Sequence, residues 1–166
     1  ALELVRDGRA CGAVSCGNSG AIVVASKIVL GTFQGIERPA ITTVLPRQDG
    51  GELILLDAGA NVDCRPEQLV CFALLGVAYA TVNGLSEPRV GILSNGSEAG
   101  KGNMLVRATL PLLEGLPINM VGPIEPTQAM AGACDVLVCD GFVGNVFLKS
   151  AEAAADTVSK LLKLEI

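Results

Sequence analysis

The sequence predicts an α/β fold, a mostly parallel sheet with helices on both faces, and three observations carry that prediction. Short apolar runs alternate with longer stretches of helical periodicity nearly throughout the chain. Four of those runs end in a loop of Gly, Asn, Asp or Ser that opens a helical pattern. The chain has 166 residues, 50% of them hydrophobic, which suits one domain with a real core, and it shows neither a low-complexity segment nor an interdomain linker. Residues 1–166 therefore read as a single α/β domain.

Taken in order, Ala1 to Gly8 reads as the end of a helix closed by Gly8, and Ala10 to Ser15 as a short buried strand. Asn18 to Phe33 has helical length and apolar residues on more than one face, so it is expected to pack between the sheet and another layer, with Gly31 and Gly35 ending it. Arg38-Pro39 leads into Ala40 to Leu45, rich in β-branched residues, and Gln48-Asp49-Gly50-Gly51 turns the chain into a strand over Glu52 to Asp57. That connection is too short for a crossover helix, so these two strands should pair antiparallel. Pro66 is well placed as the first residue of a helix running to about Val82 and closed by Asn83-Gly84. Arg89 to Leu93 is the next strand, Gly102 to Gly115 the next helix and Pro117 to Val121 the next strand. Thr127 to Ala133 is a short helix or turn, Val136 to Cys139 the last strand, and Gly141 to Leu164 a long helix with an apolar stripe through Val146, Leu148, Ala151, Ala155, Val158, Leu161 and Leu162.

The four loops are Ser15-Cys16-Gly17-Asn18-Ser19-Gly20-Ala21, Asp57-Ala58-Gly59-Ala60-Asn61, the segment from Asn95-Gly96-Ser97 to Lys101-Gly102-Asn103, and Asp140-Gly141-Phe142-Val143-Gly144-Asn145. If the preceding strands are parallel neighbours, these loops gather at the carboxyl edge of the sheet, where open α/β sheets bind ligands. The first is a candidate anion cradle: Gly17 and Gly20 allow close approach, and the free amides of the next helix point above the turn. The alternative is an ordinary capped turn in which Asn18 or Ser19 satisfies the helix's own first amides. Arg38 has the same two readings, anion contact or surface guanidinium beside a rigid proline bend.

Composition removes several function classes. A net charge of −5, one Tyr, four Phe and no Trp argue against a nucleic-acid partner. Without histidine, the chain cannot supply a Ser-His-Asp or Cys-His nucleophile from within itself. Cys11, Cys16, Cys64, Cys71, Cys134 and Cys139 form no C-x-x-C pair and lie mostly in apolar runs, so they read as small buried hydrophobes rather than zinc ligands or disulfides. The acids are scattered across loops, so no metal is expected. No apolar stretch reaches membrane-spanning length, and Glu3, Arg6, Asp7 and Arg9 do not have the order of a secretory leader; the expectation is a cytosolic location.

Five stretches in order, Ser15 to Ala21, Gly35-Ile36-Glu37-Arg38-Pro39-Ala40, Leu56-Asp57-Ala58-Gly59-Ala60-Asn61-Val62-Asp63, Lys101-Gly102-Asn103 and Asp140 to Asn145, resemble the bacterial phosphate acyltransferase family, PlsX. The likeness extends from about Ala10 to about Leu162. It implies a three-layer α/β/α sandwich of the isocitrate/isopropylmalate dehydrogenase type, shared with phosphotransacetylase, and a homodimer. It implies transfer of a fatty acyl group from acyl carrier protein to inorganic phosphate, giving acyl phosphate for phospholipid synthesis, with no cofactor, in the cytosol and with transient attachment to a membrane-associated acyltransferase.

By that resemblance Lys101 and Asn145 are the candidate catalytic residues, the lysine pairing with phosphate or the oxyanion and the asparagine donating at the start of the last helix. Their alternatives are a solvated lysine and a helix cap. Ser15, Gly17, Asn18, Ser19, Gly20, Asp57, Asn61, Asn103, Asp140 and Gly141 are the candidate substrate-binding set. Within it the acids are expected to orient loops rather than touch phosphate, because like charges repel; Glu98 is ambiguous for the same reason. The chemistry suits these residue types, since a thioester is already activated and phosphate can attack it directly. Lys160, Lys163 or Arg107 would serve an acidic carrier protein. The chain departs from the family in carrying Ser94 where an Asn is usual, and in lacking an N-terminal section with an Asp-Ala-Met-Gly-Gly-Asp-like motif and a histidine-containing C-terminal section. A sheet cut this way should leave apolar faces uncovered. A non-catalytic anion-binding or assembly fragment, and a phosphotransacetylase-like enzyme of the same fold, are the other two readings; a decarboxylating dehydrogenase would need clustered aspartates and a nicotinamide fingerprint, which are not found.

Overall fold

A computed structural model describes residues 1–98 and 100–165. The elements follow as α1 (Leu2–Arg6), α2 (Ser19–Leu30), β1 (Thr42–Pro46), β2 (Glu52–Leu56), α3 (Pro66–Val82), β3 (Arg89–Leu93), α4 (Met104–Glu114), β4 (Asn119–Ile124), α5 (Pro126–Met130), β5 (Val136–Val138) and α6 (Gly141–Glu165). The strands form one sheet in the order β1-β2-β5-β3-β4. β1 and β2 pair antiparallel, as the short turn between them requires, while β2, β5, β3 and β4 run parallel. The fold is thus α/β with a mixed, mostly parallel sheet.

Strand alternation divides the core in two. Ile54, Leu56, Val90, Ile92, Val136 and Val138 face α3 and α4, meeting Leu69, Phe72, Ala73, Val106 and Leu113. Leu53, Leu55, Leu93, Leu137 and Ile124 point the other way, to Ala129 and Met130 of α5 and Val143, Phe147 and Leu148 of α6. The three central strands are apolar on both faces because helices cover both. Gly76 of α3 and Gly91 of β3 let the layers approach: a Cβ would lie 2.4 Å from Val136 at the first and 2.5 Å from Ile124 at the second.

The end at which β3 and β5 begin is closed by charge. Asp135 receives both Arg89 Nε (3.0 Å) and Nη2 (2.9 Å), the Arg89 backbone amide (2.8 Å) and Arg47 Nη1 (2.7 Å). Burial opposes ionisation of this carboxyl, but the hydrogen bonds from Arg89 and Arg47 and their positive charge prevail and hold it well below the usual carboxylate range. Arg47 also reaches the Cys134 carbonyl at 3.0 Å and Asp49 at 3.0 Å, tying the β1–β2 turn to β5.

The N-terminal part departs from expectation. Ala10 to Ser15 forms no strand, and Val14 is 96% exposed. The run has a single β-branched residue among small ones, so it offers little area to bury. α2 ends at Gly31 as expected, in a positive-φ conformation (79°), but has no buried residue, with Val24 and Ile28 exposed. It does not lie between the sheet and another layer. Its apolar residues and those late in α6, Val158, Leu161 and Leu162, form uncovered faces; of the stripe read along α6, Leu148 packs against the core, whereas Val146 is already half exposed. Cys11 and Cys16 are exposed for the same reason, whereas Cys134 and Cys139 are buried.

Candidate functional site

The loops following β2, β3 and β5 meet at the carboxyl edge of the sheet, and Asp57 organises the first of them. Fully buried, its Oδ1 accepts from the amides of Ile41 (2.9 Å), Gly59 (3.1 Å) and Ala60 (2.9 Å). Its Oδ2 accepts from the Asn61 amide (2.7 Å) and side-chain Nδ2 (2.8 Å). Five donors surround this carboxylate, so its charge is held by amides rather than by a cation. Asn61 passes the order on by donating to the Pro39 carbonyl at 2.8 Å.

The start of α6 packs directly on this loop. The Gly141 amide donates to the Asn61 carbonyl at 2.7 Å, and a Cβ on Gly141 would sit 2.8 Å from Asn61 backbone atoms. A Cβ on Gly144 would sit 2.0 Å from the Asp57 carbonyl oxygen. Both glycines are therefore dictated by packing. Asp140 caps the helix, its Oδ1 accepting from the Val143 amide at 2.9 Å. Asn145 is not the cap; it lies one turn further in, exposed, against Gly59.

The loop after β3 is shaped by Asn95, whose Oδ1 accepts from the Gly102 amide at 3.0 Å, and by Gly100 and Gly102 at φ 87° and 88°. Asn103 caps α4 through the Val106 amide at 2.9 Å. Lys101 is exposed and its stem lies over Gly96, where an added Cβ would come within 2.8 Å of Lys101 Cγ. At the base of the loop Ser94 is 9% exposed, and among the described residues its Oγ has no hydrogen-bond partner.

Between these loops opens a cavity of about 740 Å³. Ser94, Asn95, Asn103 and Asp140 line its polar end, and Leu69, Leu105, Val106, Met130, Val143 and Phe147 supply apolar wall. It straddles the carboxyl ends of β3 and β5, drawing wall from helices of both layers. Burial, with the charges of Asp140 and Asp57, pushes the Cys139 thiol well above its ordinary value, and burial pushes Cys64 up to about 11. Near neutral pH both remain thiols, so neither offers a thiolate nucleophile to the cavity.

The structure brings Asp57, Asn61, Asn103, Asp140, Gly141 and Asn145 to one edge together with the loop carrying Lys101. Ser15, Gly17, Asn18, Ser19 and Gly20 do not line the cavity between these loops. All five are exposed; Ser15 Oγ accepts from the Gly17 amide (3.2 Å) and Asn18 Oδ1 from the Ala21 amide (3.1 Å), the geometry of a self-capped turn. Among the described residues they share no hydrogen bond with the other three loops. Sequence reasoning missed the apolar wall, although Val143, Val146, Phe147, Ser150 and Ala151 follow one another at helical spacing on α6. It also missed the Arg47–Asp135–Arg89 cluster, for which no spacing signal exists. Among the described residues no group of three or more His, Cys, Asp or Glu side chains is placed to hold a metal ion, and no helix is long and apolar enough to cross a membrane.

Comparison with known proteins bears on the fold and on the family of the chain. Curated relatives named phosphate acyltransferase include one from Halalkalibacterium halodurans, 47% identical over the whole chain and 50% of the relative's length. Another, from Citrifermentans bemidjiense, is 51% identical over the whole chain and 47% of its own length. The chain spans about half the length of the curated relatives it matches. Among solved structures, a phosphotransacetylase from Streptococcus pyogenes superposes with a TM-score of 0.73 at 21% identity, covering 93% of this chain and 54% of the other. A branched-chain phosphotransacylase from Enterococcus faecalis gives 0.60 at 18%, covering 90% and 61%. These two likenesses establish the fold. The family model described as fatty acid synthesis protein matches residues 1–166, and the chain belongs to that family.

Proposed function

We propose that this chain is the acyl-phosphate-forming part of a phosphate acyltransferase, which moves a fatty acyl group from acyl carrier protein to inorganic phosphate for phospholipid synthesis. The observation that carries the reading is the cavity itself, polar at the strand ends and apolar beyond them, which suits a substrate with a reacting polar head and a hydrocarbon tail.

A phosphate oxygen attacks the thioester carbonyl carbon, and the carbonyl electron pair moves onto oxygen. The tetrahedral intermediate then collapses, the carbon–sulfur bond breaks, and the leaving thiolate takes up the proton that hydrogen phosphate loses on forming the new carbon–oxygen bond. No side-chain nucleophile is required, which fits a chain without histidine and a rim whose cysteines stay protonated. Lys101 neutralises phosphate or the oxyanion, and Asn145 donates to the same charge. Asp57 and Asn61 hold the loop against which Asn145 rests. The turn from Ser15 to Gly20, with Ser15, Asn18 and Ser19 as donors, completes the anion contacts once it is folded over the rim. The enzyme works in the cytoplasm as a homodimer, its uncovered apolar helix faces burying against a second copy, and it docks transiently with a membrane-associated acyltransferase. Arg107, exposed on α4 beside the cavity, meets the acidic carrier protein.

Incubating the purified chain with an acyl carrier protein thioester and phosphate, and trapping acyl phosphate with hydroxylamine, tests the reading. Lys101→Ala should lower kcat/KM by about 10²–10³-fold, the usual cost of one oxyanion donor. Undiminished turnover in that variant removes the lysine from the mechanism, and failure of the parent chain to form acyl phosphate removes the transferase reading of this segment.

A further inference from the structure

A buried hydroxyl without a partner is costly, because the group loses its hydration and receives nothing in return. Ser94 Oγ is in that position, on a residue 9% exposed that lines the cavity. Its surroundings indicate what kind of group the hydroxyl could bond. β3 and β5 are parallel neighbours with Ile92 opposite Val138, so Ser94 and Asp140, each two residues further on, leave adjacent strand ends side by side. Neighbouring strands are about 4.8 Å apart. Asp140 is 9% exposed and uses Oδ1 to cap α6, while among the described residues its Oδ2 accepts no hydrogen bond. Above Ser94 lies Gly102, where an added Cβ would come 3.3 Å from Ser94 Oγ, and immediately beyond it α4 begins. α4 has 11 residues, and its opening amides at Met104 and Leu105 lie beyond reach of the helix's own carbonyls.

We propose that Ser94 Oγ, the first amides of α4 and Asp140 Oδ2 form the subsite that receives inorganic phosphate. The hydroxyl and amides donate to phosphate oxygens. The carboxylate accepts a hydrogen bond from the protonated oxygen of hydrogen phosphate, so the site favours phosphate over sulfate, which carries no O–H donor near neutral pH. The assignment rests on the acyltransferase reading only for the choice of phosphate as ligand, and it makes Ser94 a substrate-binding residue.

Binding of inorganic phosphate and of sulfate to the purified chain, by titration calorimetry, tests this directly, with thermal melting of each variant in ligand-free buffer beside it. Ser94→Ala should weaken phosphate binding about tenfold or more, the worth of one hydrogen bond to a charged group. The same variant should melt no lower than the parent, since it deletes a buried polar atom that has no hydrogen-bond partner among the described residues. A hydroxyl with a purely structural role predicts the opposite pair, unchanged affinity and a lower melting temperature. Phosphate affinity unaffected by Ser94→Ala, no phosphate binding by the parent chain, sulfate bound as tightly as phosphate, or a destabilised variant would each overturn the assignment. Ser94-dependent phosphate binding by a chain that forms no acyl phosphate keeps the subsite and removes the transferase reading. Acyl phosphate formation whose phosphate dependence is the same in Ser94→Ala does the reverse.

Discussion

Where β3 and β5 begin, Arg47 and Arg89 close on Asp135 through both of its carboxylate oxygens; where the same strands end, Ser94 and Asp140 follow neighbouring strands, and among the described residues neither Ser94 Oγ nor Asp140 Oδ2 has a hydrogen-bond partner. The two ends of one parallel pair have been put to different use. At the first, charge is neutralised by charge, and the Arg47 contact reaches from the β1–β2 turn to β5, so the cluster secures the order of the sheet. Near the second, Asp57 accepts, among the described residues, from backbone and asparagine donors, which fixes a loop in place. A fold that satisfies every polar group at one edge can leave a few unsatisfied at the other, where a ligand completes them.

The comparison breaks if stability and binding fail together at either end. The largest effect should come from Asp135→Ala, which strands two guanidiniums beside a core. Urea denaturation should show a loss of about 3 kcal/mol or more, while the protein that remains folded binds phosphate as before. Asp57→Asn removes acceptor capacity among donors and should cost about 2 kcal/mol, and here phosphate affinity should fall as well, because the loop bearing Gly59 supports Asn145.

A pH series sharpens the contrast. The Asp135 carboxyl is depressed in the folded state, so its contribution is complete above the unfolded carboxylate value of about 3.9 and is lost as the pH falls through the folded value. The gap in stability between the parent and Asp135→Asn should therefore narrow as the solution is acidified, provided both refold reversibly. The mildest test is chemical. At mildly alkaline pH iodoacetamide should label Cys11 and Cys16, which are exposed, well before Cys64, pushed up to about 11, or Cys134, pushed up to about 12 by burial and the Asp135 charge. Mass spectrometry of the alkylated chain reads the order; early labelling of Cys134 would mean that the edge secured by Asp135 opens readily.

Most of the elements can be read along the chain. Pro66 opens α3 and Val82 closes it as the residues foretell, and β3 spans Arg89–Leu93 as expected. Those segments are long or strongly apolar and bounded by proline, glycine or asparagine, so local preference and tertiary packing agree. Ala10 to Ser15 failed because its small residues satisfy the pattern of a strand without enough side-chain area to repay pairing. The glycines of Asp140 to Asn145 were legible as a loop, but their cause was not: Gly144 is small because the Asp57 carbonyl stands where its side chain would be.

What the linear order of residues decided by itself was the class of fold, the polar character of the strand-end loops and the absence of a histidine nucleophile, since these depend on periodicity, turn chemistry and inventory. Tertiary structure alone decided that β5 inserts between β2 and β3, and hence that Asp140 stands beside Ser94 and Asp135 beside Arg89. Strand order is settled by which apolar faces cover one another. No pattern within a segment records its neighbour, so the residues that share a site are known only once the sheet is assembled.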